Sequence, residues 1–188
     1  MIAVEQIKAV LSEHGRCEIQ NPALTRAGVL ILLFPKGGEL HILLTRRTLD
    51  VEHHKGQISF PGGSKDPADH DIMQTALREC EEEIGLPRSA VQVLGLFDDY
   101  ETPSGFAITP VVGYVPGLPQ LSLNTSEVTE TLEVPVTLFT DKANERVEQR
   151  QIRGKLHDVY FYRYGSHEVW GATAAMIRAF LQTLHLVP

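Results

Sequence analysis

Cysteine is scarce in this chain: its 188 residues include only Cys17 and Cys80. Two thiols make no disulfide framework, so the fold must rest on a packed apolar core. Tryptophan is scarcer still, with Trp170 alone. Basic residues are outnumbered, 17 Lys and Arg against 24 Asp and Glu, for a net charge of −7. That balance gives no broad positive footprint, so nucleic acid is not expected as a partner. No apolar run is long enough to span a bilayer, and no membrane partner is expected either. The first ten residues carry acidic Glu5 and do not read as a secretory signal. A reducing cytoplasm is the expected location. The rest is ordinary for a globular protein, with 43% hydrophobic and 22% charged residues. The length suits one domain over residues 1–188.

The informative stretch runs from Phe60 to Leu86, FPGGSKDPADHDIMQTALRECEEEIGL. Gly62-Gly63 reads as a tight turn after a short apolar strand, and Asp66 and Asp69 sit in a polar loop. A helix follows, because Met73, Leu77, Cys80 and Ile84 recur at spacings of four, three and four and make one buried stripe. Gly85 suits its left-handed C-terminal stop, and Pro87 prevents continuation. Glu79, Glu82 and Glu83 gather on another face, about 135° from the stripe. Three carboxylates so spaced repel each other. Hard divalent cations would offset that repulsion, since Mg²⁺ takes carboxylate oxygens, water and substrate phosphates. The residues alone equally allow a solvated acidic face, partly neutralised by Arg78 reaching Glu82 one turn on.

Along the chain, residues 2–14 suggest an amphipathic helix ending at Gly15. Residues 27–34 form a near-continuous apolar run, expected to be a central strand, with residues 39–46 as its hairpin partner. Residues 91–97 and 108–115 read as strands, residues 127–130 as a short helical turn, and residues 134–138 as extended. Residues 142–155 are charged and without period. Residues 157–164 and 168–170 pair across Gly165-Ser166, and residues 172–184 close the chain as a helix. No repeat or linker interrupts this order. Interleaved strands and helices predict a mixed sheet layered between helices.

The segment Arg78-Glu79-Cys80-Glu81-Glu82-Glu83-Ile84-Gly85-Leu86 resembles the second half of the Nudix box. That half reads Arg-Glu, an apolar residue, any residue, Glu-Glu, any residue, Gly, an apolar residue. The box as a whole would cover about residues 63–86. Its first half departs from the usual pattern: Asp69 stands where Glu is usual, six residues after Gly63, and Arg78 follows by nine rather than eight. This departure resembles the coenzyme A pyrophosphatase branch of the family. Leu43-Leu44-Thr45-Arg46-Arg47, Gly56 and Phe60-Pro61-Gly62-Gly63 resemble the same branch, as does Trp170-Gly171-Ala172-Thr173. Thr48 differs, in a place where that branch more usually has Ser or Ala. The likeness spans about residues 27–184.

The resemblance implies an α/β/α sandwich and a metal-dependent cleavage of coenzyme A, or a derivative, to 3′,5′-ADP and 4′-phosphopantetheine. Glu79 and Glu83 would hold Mg²⁺ or Mn²⁺, with Glu82 contributing directly or through water. Arg78 would orient a box carboxylate, and Gly62 and Gly63 would let backbone approach the ligand. Glu82 ranks first as general base, before Glu101, Glu127 and Glu130. Arg46, Arg47 and Lys55 are the expected donors to the substrate's phosphates. His53 and His54 are expected to be exposed, Trp170 to pack in the core, and Cys80 to be a buried inert thiol. A homodimer is compatible with this reading. Two other readings stay open: the same chemistry on ADP-ribose or another nucleoside diphosphate derivative, and a nucleotide-binding module without turnover.

Overall fold

The computed structural model describes residues 2–48, 56–152 and 154–187. The longest strand, β1 (Thr25–Lys36), explains the architecture. Leu30, Leu32 and Phe34 enter one buried cluster, while Ile31 and Leu33 enter another. Successive side chains point to opposite faces of a sheet, so a strand apolar at every position must be covered on both sides.

The main sheet is mixed. It runs β3 (Ile58–Ser59), β2 (Glu39–Arg47), β1, β7 (Phe106–Tyr114), β5 (Gln92–Leu96). The β1–β7 pairing is parallel, with Ile31 opposite Val112, and β1–β2 is an antiparallel hairpin. Three further strands join at the sides: β4 (Gly62–Ser64) on β1, β6 (Tyr100–Glu101) on β7, and β8 (Val128–Pro135) on β2. Helix α2 (Ile72–Ile84) covers the face carrying Leu30, Leu32, Phe34 and Leu43. The opposite face is covered by α1 (Val4–Glu13), α3 (Val136–Thr140) and α4 (Gly171–Thr183). A second antiparallel sheet also contributes there, built from β9 (Glu145–Ile152), β10 (Lys155–Tyr164) and β11 (His167–Trp170). This is the expected α/β/α sandwich. Among the described residues no helix is long and apolar enough to cross a membrane.

Several local expectations need correction. Gly62-Gly63 lies in a strand rather than a free turn, paired with Val29 and Gly28. A Cβ on Gly62 would meet the Gly28 carbonyl oxygen at 2.4 Å, and Gly62 has φ +152, so only glycine lets this segment lie on β1. Residues 128–130 are strand rather than helical turn, because Val128 and Glu130 pair with Arg47 and Arg46 of β2 across an irregularity in register. Residues 136–138 are helical, following Pro135 at the N-cap of α3. The aperiodic run 142–155 contains β9, an edge strand whose only partner among the described residues is β10. With little core behind it, β9 carries no alternating apolar signal. Trp170 is 37% exposed and stacks on Phe161 at 5.9 Å instead of entering the core.

Candidate active site

Helix α2 is fixed at both ends. Asp71 caps the start, its carboxylate accepting from the Gln74 amide at 2.9 Å, and Gly85 ends the helix in the left-handed conformation. Its deepest side chains are Ala76, Cys80 and Ile84, with Met73 and Leu77 only partly buried. The buried face is wider than the apolar stripe, since Thr75 and Glu83 are also enclosed. Glu83 is therefore not displayed with its neighbours on an acidic surface: it is 2% exposed. The three box glutamates form a gradient of exposure, with side chains 3% exposed for Glu83, 18% for Glu79 and 53% for Glu82. Cys80 is the buried thiol expected, its pKa pushed up to about 12 by burial.

Arg78 is the hub of the cluster. Its Nε and Nη2 donate to the two Asp69 carboxylate oxygens, both at 3.0 Å. Its Nη1 donates to Glu79 at 2.9 Å and to Glu82 at 3.0 Å, and Nη2 also reaches the Ser64 carbonyl at 3.3 Å. Asp69 is locked in turn by the Thr75 hydroxyl at 2.9 Å and the Asp66 amide at 3.0 Å. These partners, Arg78 foremost, hold its carboxyl well below the usual carboxylate range. A bidentate guanidinium fixes direction as well as distance, so Asp69 aims Arg78 and Arg78 aims Glu79 and Glu82. Aspartate has a shorter reach than glutamate, and here it still meets an arginine nine positions along.

Glycine makes room for the carboxylates. A Cβ on Gly63 would lie 2.5 Å from the Glu79 carboxyl carbon, so Glu79 rests directly against the β4 backbone. The Gly62 amide donates to Glu83 Oε2 at 3.2 Å, and Arg47 approaches Glu83 Oε1 at 3.5 Å. Burial pushes the Glu83 carboxyl up to about 8, opposed by Arg47 and the Gly62 amide and reinforced by the charges of Glu79 and Glu127. Burial also raises the Glu79 carboxyl, against the pull of Arg78. Glu127 thus belongs electrostatically with the box. Its carboxylate accepts from the Asn124 amide side chain at 3.0 Å, and the Asn124 backbone amide donates to the Glu83 carbonyl at 2.9 Å.

The remaining expected residues divide. Arg47 joins the cluster, while Arg46, its neighbour on the alternate face of β2, pairs with Glu130 at 2.9 Å. Glu130 also lies 3.8 Å from His167. Glu101 is exposed on β6. Lys55, His53 and His54 lie outside the described residues. The role of Asp69 as the clamp on Arg78, and that of Asn124 in aiming Glu127, went unread in the sequence. A carboxylate at the box's first acidic position with an arginine downstream was the available signal for Asp69. For Asn124 the signal was the local Asn-x-x-Glu spacing, which places Glu127 three residues on.

The residues fit a divalent cation. Glu83 is an enclosed carboxylate facing further carboxylates, with one amide and one arginine for compensation. Taking such a charge out of water is costly unless it is paired. Among the described residues no three His, Cys, Asp or Glu side chains are grouped closely enough to hold a metal ion between them.

The NUDIX domain family model matches residues 24–161. This chain belongs to the Nudix family. A Yersinia enterocolitica protein named "Uncharacterized Nudix hydrolase NudL" is 42% identical over 193 residues, covering 97% of each chain. A Photorhabdus laumondii protein of the same name is 40% identical over 145 residues, 77% of this chain and 78% of its own. Among solved structures, a Nudix hydrolase from Alicyclobacillus acidocaldarius superposes with TM-score 0.54 at 17% identity, covering 85% of this chain and 91% of its own. A MutT/nudix family protein from Enterococcus faecalis gives 0.54 at 15% identity, covering 98% and 70%. At such identity these two speak for the shared fold. This Nudix chain is accordingly a hydrolase, of a family that generally uses divalent metal ions.

Proposed function

We propose that this Nudix hydrolase cleaves the diphosphate of coenzyme A, or of an acyl or oxidised derivative, to 3′,5′-ADP and 4′-phosphopantetheine. The observation that carries the reading is the Asp69–Arg78–Glu79 chain of contacts. The variant spacing that resembles the coenzyme A branch builds an intact clamp, with both Asp69 oxygens engaged and Arg78 passing on to Glu79 and Glu82. The acidic face is therefore organised rather than merely solvated.

Glu79 and Glu83 would hold Mg²⁺ or Mn²⁺, with Glu82 completing the set directly or through water. When bound, such cations neutralise the diphosphate oxygens and lower the pKa of a coordinated water. Arg78 keeps two of these carboxylates aimed, and the rigid β4 backbone beneath Glu79 holds it without reorganisation during the reaction. Arg47, 26% exposed, is the cluster's second guanidinium and would meet a substrate phosphate. Overall, water adds to one phosphorus, its proton passes to a carboxylate, and the bridging oxygen leaves with the other phosphate. Glu82, exposed and held at 3.0 Å by Arg78, stands in reach of solvent for that proton. Glu127 is the second carboxylate suited to it, being aimed by Asn124.

A substrate panel with Mg²⁺ tests this assignment by product analysis. Coenzyme A is expected to turn over faster than its 3′-dephospho form. Preference for ADP-ribose would replace the substrate, and no product from any diphosphate would leave a binding module.

A further inference from the structure

On the face of the sheet covered by α2 lies an open groove of about 490 Å³. Phe34 and Lys36 at the end of β1 line it, with Thr131 and Glu133 on β8 and Leu118 and Leu121 in the loop after β7. Its position follows from strand register. Thr131 stands opposite Thr45, two residues before Arg47, and that step is about 7 Å along a strand. Arg47 in turn reaches Glu83. Glu133 lies two residues further on, so the floor of the groove leads away from the box. Its roof is tied to the same site, because the Ser122 and Asn124 amides donate to the Ile84 and Glu83 carbonyls at 2.9 Å.

We infer that this groove receives the pantetheine arm of the substrate, an extended chain in which methyl and methylene segments alternate with amides. The inference rests on the coenzyme A reading above and specifies where that molecule's non-nucleotide half lies. Phe34, Leu118 and Leu121 offer apolar wall, while the Thr131 hydroxyl, Glu133 carboxylate and Lys36 ammonium are set along it. A lining in which polar and apolar side chains are interspersed, in an open groove of this size, suits an uncharged amide chain. The nucleotide half suits it poorly. Among the described residues Lys36 is the one cation lining the groove, and it is already paired with Glu133 at 2.7 Å. A doubly charged 3′-phosphate would find no uncompensated positive charge there.

Thr131→Trp and Leu121→Trp fill the groove from opposite walls with neutral side chains and can be compared for folding by thermal melting. Calorimetry with Mg²⁺ present would use two probes, 4′-phosphopantetheine and 3′,5′-ADP. Each substitution is expected to weaken 4′-phosphopantetheine at least about tenfold and to leave 3′,5′-ADP within about twofold. With coenzyme A as substrate, KM should rise more than kcat falls. Weakening of 3′,5′-ADP alone would place the nucleotide in the groove and overturn the inference. It would also fall if neither probe responded in a folded variant, or if the wild-type protein did not bind 4′-phosphopantetheine. Groove-dependent binding of 4′-phosphopantetheine without cleavage of coenzyme A would uphold the groove and overturn the activity.

Discussion

Glu83→Gln is expected to lower turnover by about 10²–10³-fold, the scale of losing one preorganised electrostatic contact to the reacting centre. The fold should survive, because glutamine keeps the shape of the side chain and an oxygen for the Gly62 amide, which donates to Glu83 at 3.2 Å. What it loses is the charge that would bind a cation. Of the three box glutamates Glu83 is the most enclosed, so water has least access to replace it. Steady-state kinetics with Mg²⁺ and coenzyme A, beside circular dichroism, measures both properties. Near-normal turnover in a folded variant would remove Glu83 from the ligand set.

The same enclosure predicts an unusual pH dependence for the metal-free protein. The Glu83 carboxyl is raised from an ordinary 4.5 to about 8 in the folded state, with burial as the leading cause. A raised folded-state pKa means that the native protein holds the proton more tightly than the unfolded chain does. The associated stability is fully present below pH 4.5 and is lost as pH rises through about 8. For a carboxyl this enclosed, the loss is on the order of 4 kcal/mol when ionisation is complete. In a chain of this size that corresponds to a melting temperature lower by roughly 10 °C. Metal-free wild type should therefore melt progressively below Glu83→Gln between pH 5 and pH 9, and Mg²⁺ should restore wild type most at the alkaline end. Melting curves of the two proteins across that range, with and without Mg²⁺, provide the check. A difference independent of pH would mean that Glu83 is ionised and compensated by the protein alone.

What could be read in advance follows physical range. β1, the β1–β2 hairpin and α2 were legible because each carries its signal within a few residues: an unbroken apolar run, turn glycines, a four-three-four stripe. The Arg78–Glu82 pair was legible for the same reason, as a contact between successive helical turns. The burial of Glu83 was not. A glutamate beside Ile84 on a helix gives no sign that β4 and the loop through Asn124 will close over it. Arg46 and Arg47 looked equivalent until the pleat of β2 sent them to opposite faces, one to Glu130 and the other to Glu83. β9 was obscured by its place at an edge, where burial imposes no alternation. Trp170 misled through composition, since a large aromatic ring is usually covered and this one lies against Phe161 at the surface.

Cleavage as proposed requires the α2 carboxylates to grip divalent ions, and calorimetric titration of the metal-free protein with Mn²⁺, in the presence of 3′,5′-ADP, tests this most directly. Wild type should give saturable heat well above dilution, and a folded Glu79→Gln, Glu83→Gln double variant should give none. No heat from wild type, or equal heat from both proteins, would contradict it.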